Sequence, residues 1–244
     1  MIGISTSSRR ASAATAPSSG ASPSSAPRPA FIEALQDAAF DVHTYKHTTM
    51  GFLADIEVGE LRAAMAALEQ GAYRIEARTL IEACTPGRDL LPKQWALNEV
   101  VVERSGAAGL LTIHTTVGSA FLNDYWGDGL IVSTPTGSTA YALSVGGPIV
   151  SPDADVIVLA PLAPHSLTSR PIVLPGTSEV TLRVRSGGRP YVVAADGVST
   201  MFDEEDVPIM LRRAAKTVQL VKLLDRHYFG TLRRKLRWGS DHKD

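Results

Sequence analysis

Hydrophobic and polar positions change period along the chain. "FIEALQDAAFDVHTYK" (31–46) begins with helical spacing, with Phe31, Leu35, Ala38 and Ala39 on one face. "VGELRAAMAALEQG" (58–71) repeats that spacing: Leu61, Met65 and Leu68 form a stripe, and Gly71 is the expected stop. At "YRIEARTLIEA" (73–83) the period drops to two. Tyr73, Ile75 and Ala77 point one way and Arg74, Glu76 and Arg78 the other, which predicts a half-buried strand. Short strands rich in β-branched residues are then predicted at 95–104, 110–117, 129–133, 155–161, 179–185, 190–197, 206–213 and 217–224. Their close spacing predicts a sandwich or barrel-like β domain. "HYFGTLRRKLRWG" (227–239) predicts a closing helix with an apolar face of Phe229, Leu232 and Leu236 and a solvated basic face.

Composition narrows the class. The chain has 244 residues, 44% hydrophobic, enough for a sizeable core. Lys and Arg number 24 against 25 Asp and Glu, so charge supplies no reason to expect nucleic acid or an anionic membrane as partner. Cys84 is the single cysteine, which excludes an internal disulfide and a Cys-x-x-Cys metal site and fits a reducing, cytoplasmic setting. Apolar runs such as 156–160 are far shorter than the ~18 residues of a membrane span. The first thirty residues are mostly Ser, Ala and Pro, with no acid before Glu33. They read as a disordered tail. Arg9, Arg10 and Arg28 in a Ser-rich, acid-free stretch also fit a transit peptide.

Several motifs are absent from the sequence: a P-loop, a Gly-x-Gly-x-x-Gly fingerprint, Gly-x-Ser-x-Gly and His-Glu-x-x-His. What stands out is "DGLIVSTPTGSTAYALSVGGPIV" (128–150). A strand runs into seven small residues, 133–139, and then into a short helix at Ala140. Such a helix start offers backbone N–H groups to an anion or polar ring, with Gly137 allowing close approach and Tyr141 a flat face. The same pattern also suits a simple capped helix between two strands.

Other segments decide between these. "GFLADI" (51–56), "ALNEVVV" (96–102), the 128–150 stretch, "APLAPHSLTSRPIVLP" (160–175) and "ADG" (195–197), in this order, resemble the NAD kinase family over residues 50–239. The closing "YFGTLRRKLRWG" resembles that family's end as well. The resemblance implies transfer of the γ-phosphoryl of ATP to the adenosine-ribose 2′-hydroxyl of NAD, giving NADP, with Mg²⁺ neutralising the phosphates. It implies an α+β fold: a sandwich-like all-β C-terminal domain, the remnant of an N-terminal α/β domain, and a returning C-terminal helix. It also implies a homodimer or homotetramer.

Carried over by residue, Asn98 and Glu99 match the family's NAD-contacting pair. Asp128 matches its acceptor for an amide or amino N–H. Thr136, Thr139, Ala140, Tyr141, Ala142, Leu143 and Ser144 match the loop and helix start that hold adenine and ribose. Ala163 matches a close-approach position. His165, Arg170 and Asp196 are expected to support these from behind. Val198 stands where many relatives carry Gln, and Trp126 where some carry Arg.

The family's catalytic Gly-Gly-Asp-Gly has no counterpart in this sequence: its Asp-Gly pairs, 128–129 and 196–197, belong to other motifs. No catalytic residue is therefore assigned. The expected organisation is a tail over 1–30, an α/β remnant over 31–71, a β-rich NAD-binding domain over 72–226 and a helix with tail over 227–244. Beside the kinase stand two alternatives, a non-catalytic NAD/NADP-binding subunit or truncated gene product, and a lipid kinase of the diacylglycerol type.

Overall fold

A computed structural model describes residues 2–5, 41–44, 56, 58–87, 91, 94–106 and 109–238. In chain order, strands β1 (Ile2–Ser5) and β2 (Asp41–Thr44) precede a 3-10 turn (Val58–Glu60) and helix α1 (Leu61–Glu69). Then come β3 (Tyr73–Cys84), β4 (Trp95–Ala96), β5 (Glu99–Arg104), β6 (Leu111–Val117), β7 (Ala120–Gly127) and β8 (Gly129–Ser133). A 3-10 turn (Thr136–Thr139) leads into the four-residue helix α2 (Tyr141–Ser144). Strands β9 (Val156–Leu162), β10 (Ile172–Pro175), β11 (Val180–Arg185), β12 (Tyr191–Ala195), β13 (Val198–Phe202) and β14 (Pro208–Leu223) precede helix α3 (Tyr228–Leu236). The chain divides into two compact units, residues 78–215 and residues 1–77 with 216–244.

Residues 78–215 form an antiparallel sandwich. One sheet is ordered β10-β9-β8-β5-β12-β13. The other carries β11 between β14 and β6, with β7 outside β6. In β6, Leu111, Ile113 and Thr115 are buried while Thr112, His114 and Thr116 are less so; β11 alternates likewise through Val180, Leu182 and Val184. These side chains meet Val100, Val102, Leu130, Val132, Ile157, Leu159, Tyr191 and Val193 of the first sheet in one core. Each such aliphatic side chain contributes roughly 1.5–3 kcal/mol by leaving water. β8 is buried along its whole length because β5 and β9 flank it and both its faces are covered. Its outer face, with Val101, Ala160 and Leu162, packs on Ala142 and Val145. That second, smaller core seats α2.

In the other unit, α1 ends as Gly71 expects. Gly71 takes a left-handed φ of 71°, its N–H donates to Leu68 O and that of Ala72 to Ala67 O. The buried centre of α1 is Ala64, and Leu61 is 39% exposed, so the expected Leu61–Met65–Leu68 stripe is rotated toward the small residues. In α3 the covered side runs through Tyr228, Thr231, Leu232, Lys235 and Leu236, at helical spacing; Phe229 is exposed, which corrects its assignment to the apolar face. The left-handed Arg237 and the Trp238 N–H to Arg233 O close that helix.

The strand readings need several changes. The 95–104 strand breaks at Leu97–Asn98 into β4 and β5, and the 206–213 and 217–224 strands are one, β14. β7, β10 and β13 were not foreseen: β7 is punctuated by polar residues, and β10 and β13 are short. Within the expected tail, Ile2–Ser5 is a strand antiparallel to β2 and to Val218–Leu220 of β14. Within the expected 31–46 helix, Asp41–Thr44 is a strand; the remaining residues of both segments lie outside the described residues.

Candidate nucleotide site

The break between β4 and β5 is held by a side chain from another hairpin. β12 and β13 are joined by Asp196-Gly197, both at positive φ (46° and 80°), the conformation a two-residue Asp-Gly hairpin turn requires. There the Asp196 carboxylate accepts N–H bonds from Leu97 (2.7 Å), Asn98 (2.8 Å) and Glu99 (3.3 Å). The Asp196 N–H donates back to Glu99 O (3.1 Å). Leu97 and Asn98, lost to the sheet ladder, are thereby satisfied.

From the opposite side, the hydroxyl-rich loop is stapled to the same two residues. Thr134 donates its N–H to Asn98 O (2.9 Å) and its hydroxyl to Leu97 O (2.6 Å), and that hydroxyl accepts the Gly137 N–H (3.0 Å). Gly137 sits against Asn98 so closely that a β-carbon would stand 2.1 Å from Asn98 O. Three further hydroxyls are also engaged. Ser138 donates to Pro135 O and accepts the Val150 N–H, Thr139 donates to Thr136 O, and Ser144 donates to Tyr141 O. The small polar residues between two pieces of core thus satisfy backbone groups that irregular chain would otherwise bury unpaired.

Glu99 opens β5 and points at this loop. Burial pushes its carboxyl up to about 7, the Asp196 charge adds to that, and the Tyr141 backbone N–H partly offsets it. Its Oε2 is buried without a hydrogen-bond partner. Tyr141, 41% exposed, has its phenol pushed up by burial and by Glu103, Asp128 and Glu99, and so stays protonated. Thr136 is buried; Thr139, Ala140 and Leu143 are half-buried, Ala142 is buried and Ser144 is exposed.

Asp128 is not a free acceptor. Arg104 forks onto it, Nε to Oδ1 at 2.6 Å and Nη2 to Oδ2 at 3.3 Å. Its N–H donates to Leu162 O, which brings the 162–165 turn alongside β7. In that turn Ala163 is exposed with φ 41°, and a β-carbon on Gly127 would meet Leu162 O and Ala163 O within 3 Å. The His165 N–H donates to Trp126 O, and its ring lies 4.5 Å from the Trp126 ring. Arg170 is turned to its own loop, donating to Leu167 O and Ser169 O. The structure therefore joins Asn98, Glu99, the 134–144 segment and Asp196 tightly, and gathers Asp128, Ala163 and His165 beside Trp126. Arg170 stabilises a separate loop.

Three residues of this arrangement were not singled out from sequence. In the sequence Thr134 and Ser133 stand out only as members of a polar stretch. Arg104 has as its one signal a cation at the end of a strand whose start carries the Asn-Glu pair. Among the described residues no group of three His, Cys, Asp or Glu could hold a metal ion, and no helix is long and apolar enough to cross a membrane.

Comparison with known proteins gives this geometry a family. The family model of the ATP-NAD kinase C-terminal domain matches residues 97–223. The chain is 39% identical over 194 residues to the NAD kinase of Bacteroides fragilis strain YCH46, covering 80% of this chain and 67% of that protein. It is 40% identical over 191 residues to the NAD kinase of Sulfurimonas denitrificans, covering 78% and 66%. Its fold matches the crystal structure of yeast NADH kinase complexed with NADH at a TM-score of 0.71 and 24% identity, over 81% of this chain and 58% of that one. It also matches an NAD kinase from Archaeoglobus fulgidus in complex with ATP, at 0.60 and 25%, over 73% and 66%. The chain thus spans about two thirds or less of the length of each of these proteins. The domain match and the identity to these relatives place the chain in the NAD kinase family.

Proposed function

We infer that this chain holds the dinucleotide for an NAD kinase reaction, in which the γ-phosphoryl of ATP passes to the adenosine-ribose 2′-hydroxyl of NAD. The carrying observation is the convergence of Asp196 and the 134–137 loop on Leu97 and Asn98, next to Glu99. Two independent segments fix one short stretch of main chain, and beside it one carboxyl oxygen, Glu99 Oε2, is buried without a hydrogen-bond partner. A protonated Glu99 donates to a ribose or phosphate oxygen, and an ionised one accepts from a ribose hydroxyl. Tyr141 supplies the adjoining flat face. Mg²⁺ enters this scheme on ATP, as the metal–nucleotide substrate, and neutralises the phosphates there. A cytoplasmic homodimer or homotetramer completes the reading.

A second reading follows from one observation. The sequence carries no Gly-Gly-Asp-Gly, so no residue is assigned to take the proton from the 2′-hydroxyl. On that reading the 244-residue chain binds NAD or NADP without turning it over. The experiment is NADP formation from NAD, ATP and Mg²⁺ by the purified chain, with Asn98→Ala alongside, and a melting curve with and without NADP. Turnover abolished in Asn98→Ala supports the kinase. Stabilisation by NADP without turnover supports the binding reading. No turnover and no shift with NADP, or a shift with a diacylglycerol instead, defeats both.

A further inference from the structure

We propose that Asp196 is the positioning residue of this site: from the β12–β13 turn its carboxylate fixes the Leu97–Asn98–Glu99 main chain and sets the Glu99 carboxyl against Tyr141. The proposal rests on the dinucleotide reading for its ligand, and on the ligand-free protein for its geometry.

Three observations carry it. The Asp196 side chain makes its bonds to N–H groups 97 to 99 residues away, so it works between strands and is more than a turn-former. It occupies a left-handed φ of 46°, where Gly or Asn would serve the turn; neither supplies two carboxylate oxygens to consecutive N–H groups. It also stands as a negative charge beside Glu99, whose Oε2 is buried and unpaired. The groups around Glu99 are Asp196 on the turn and Tyr141 on α2, whose phenol Glu103 and Asp128 also face. Removing the Asp196 charge therefore lets Glu99 ionise at lower pH, whereas weakening an ordinary structural bond leaves that midpoint in place.

The experiment compares the full chain with Asp196→Asn and Glu99→Gln. It reads NADP affinity across the neutral pH range and, without ligand, the carboxyl carbon signal of Glu99 by NMR. In the unsubstituted chain both change near the Glu99 midpoint. In Glu99→Gln the inflection in affinity vanishes. In Asp196→Asn the midpoint moves down by roughly one pH unit, and NADP binds about tenfold more weakly through loss of one oxygen from the clamp. A midpoint that stays where it was in Asp196→Asn overturns the proposal. If NADP binds none of these proteins, the dinucleotide reading fails, and the NMR midpoint still decides the role of Asp196. Should Asp196→Asn not fold, amide exchange in the unsubstituted chain decides: protected Leu97 and Asn98 protons support the clamp, and rapidly exchanging ones overturn it.

Discussion

Gly137 and Asn98 touch through their backbones, with no room for a β-carbon between them: one added at Gly137 would lie 2.1 Å from Asn98 O and 2.6 Å from Ser133 Oγ. The obstructing carbonyl cannot swing aside, because it already accepts the Thr134 N–H. Gly137→Ala must therefore push the loop away from β5. Overpacking of this kind costs about 1–3 kcal/mol, and this site belongs at the upper end because the obstacle is main chain. Urea unfolding should show that loss, and NADP should no longer raise the melting temperature. A Gly137→Ala protein as stable as the parent would mean that the loop and β5 are not in contact.

Glu99 makes stability depend on pH. Its ordinary value is 4.5 and its folded value about 7, so the folded state binds more protons over that interval. Stability is therefore full below about 4.5, falls as pH rises to about 7, and is level above. Since the carboxyl is part-exposed, the loss should be about 2 kcal/mol rather than the full linkage value. Unfolding at pH 5 and pH 8 measures it. Glu99→Gln should remove the decline and be the more stable protein at pH 8.

Thr134 tests the staple between loop and strand. Its buried hydroxyl serves Leu97 O and the Gly137 N–H at once. Thr134→Val keeps the shape and leaves both backbone groups unsatisfied, at about 2–3 kcal/mol. Thr134→Ser, which keeps the hydroxyl, should lose under about 1 kcal/mol. Equal losses in the two variants would show that the methyl, not the hydroxyl, matters.

The Arg104–Asp128 pair should contribute little to stability. Both side chains are about a third exposed, 29% and 34%, and pairs of that kind contribute about 0–1 kcal/mol. Arg104→Ala should unfold within about 1 kcal/mol of the parent. Its effect should lie in binding, since it frees the acceptor that the family resemblance assigns to a ligand N–H. Calorimetric titration with NADP should show a changed affinity, and an unchanged one would remove Asp128 from the site.

The sandwich was legible because alternation in β6 and β11 and the apolar runs of β5, β8 and β9 are set by burial on one face or on both. The order of the motifs also carried the family resemblance that the domain match bears out. What pattern reading could not show was partnership. The 133–139 loop read as a ligand cradle, yet its hydroxyls mainly hold the backbone, and only three-dimensional closeness to Asn98 shows why Gly137 is glycine. Asp196 read as a supporting residue at a turn; its grip on Leu97 and Asn98 spans nearly a hundred residues. Of the face expected for α3, Leu232 and Leu236 are covered and Phe229 is not; at the helix start Tyr228 takes the covered place, a choice between two adjacent aromatic residues that periodicity alone does not make.

Ala163 holds strain that can be read directly. It is exposed, non-glycine and left-handed, with φ 41°, in the turn whose carbonyls crowd Gly127. A left-handed alanine costs about 1–2 kcal/mol. Ala163→Gly relieves that cost but adds about 0.4–1 kcal/mol of unfolded-state entropy, so stability should rise by at most about 1.5 kcal/mol. Ala163→Val, β-branched at a positive φ, should cost about 2 kcal/mol or more. If the strain serves to bring this turn against a ligand, Ala163→Gly should also bind NADP more weakly, because the free turn gains conformations it must lose on binding. Thermal melts and NADP titrations on the two variants separate these effects. A glycine variant both more stable and tighter-binding would show that the left-handed alanine is a cost without a use.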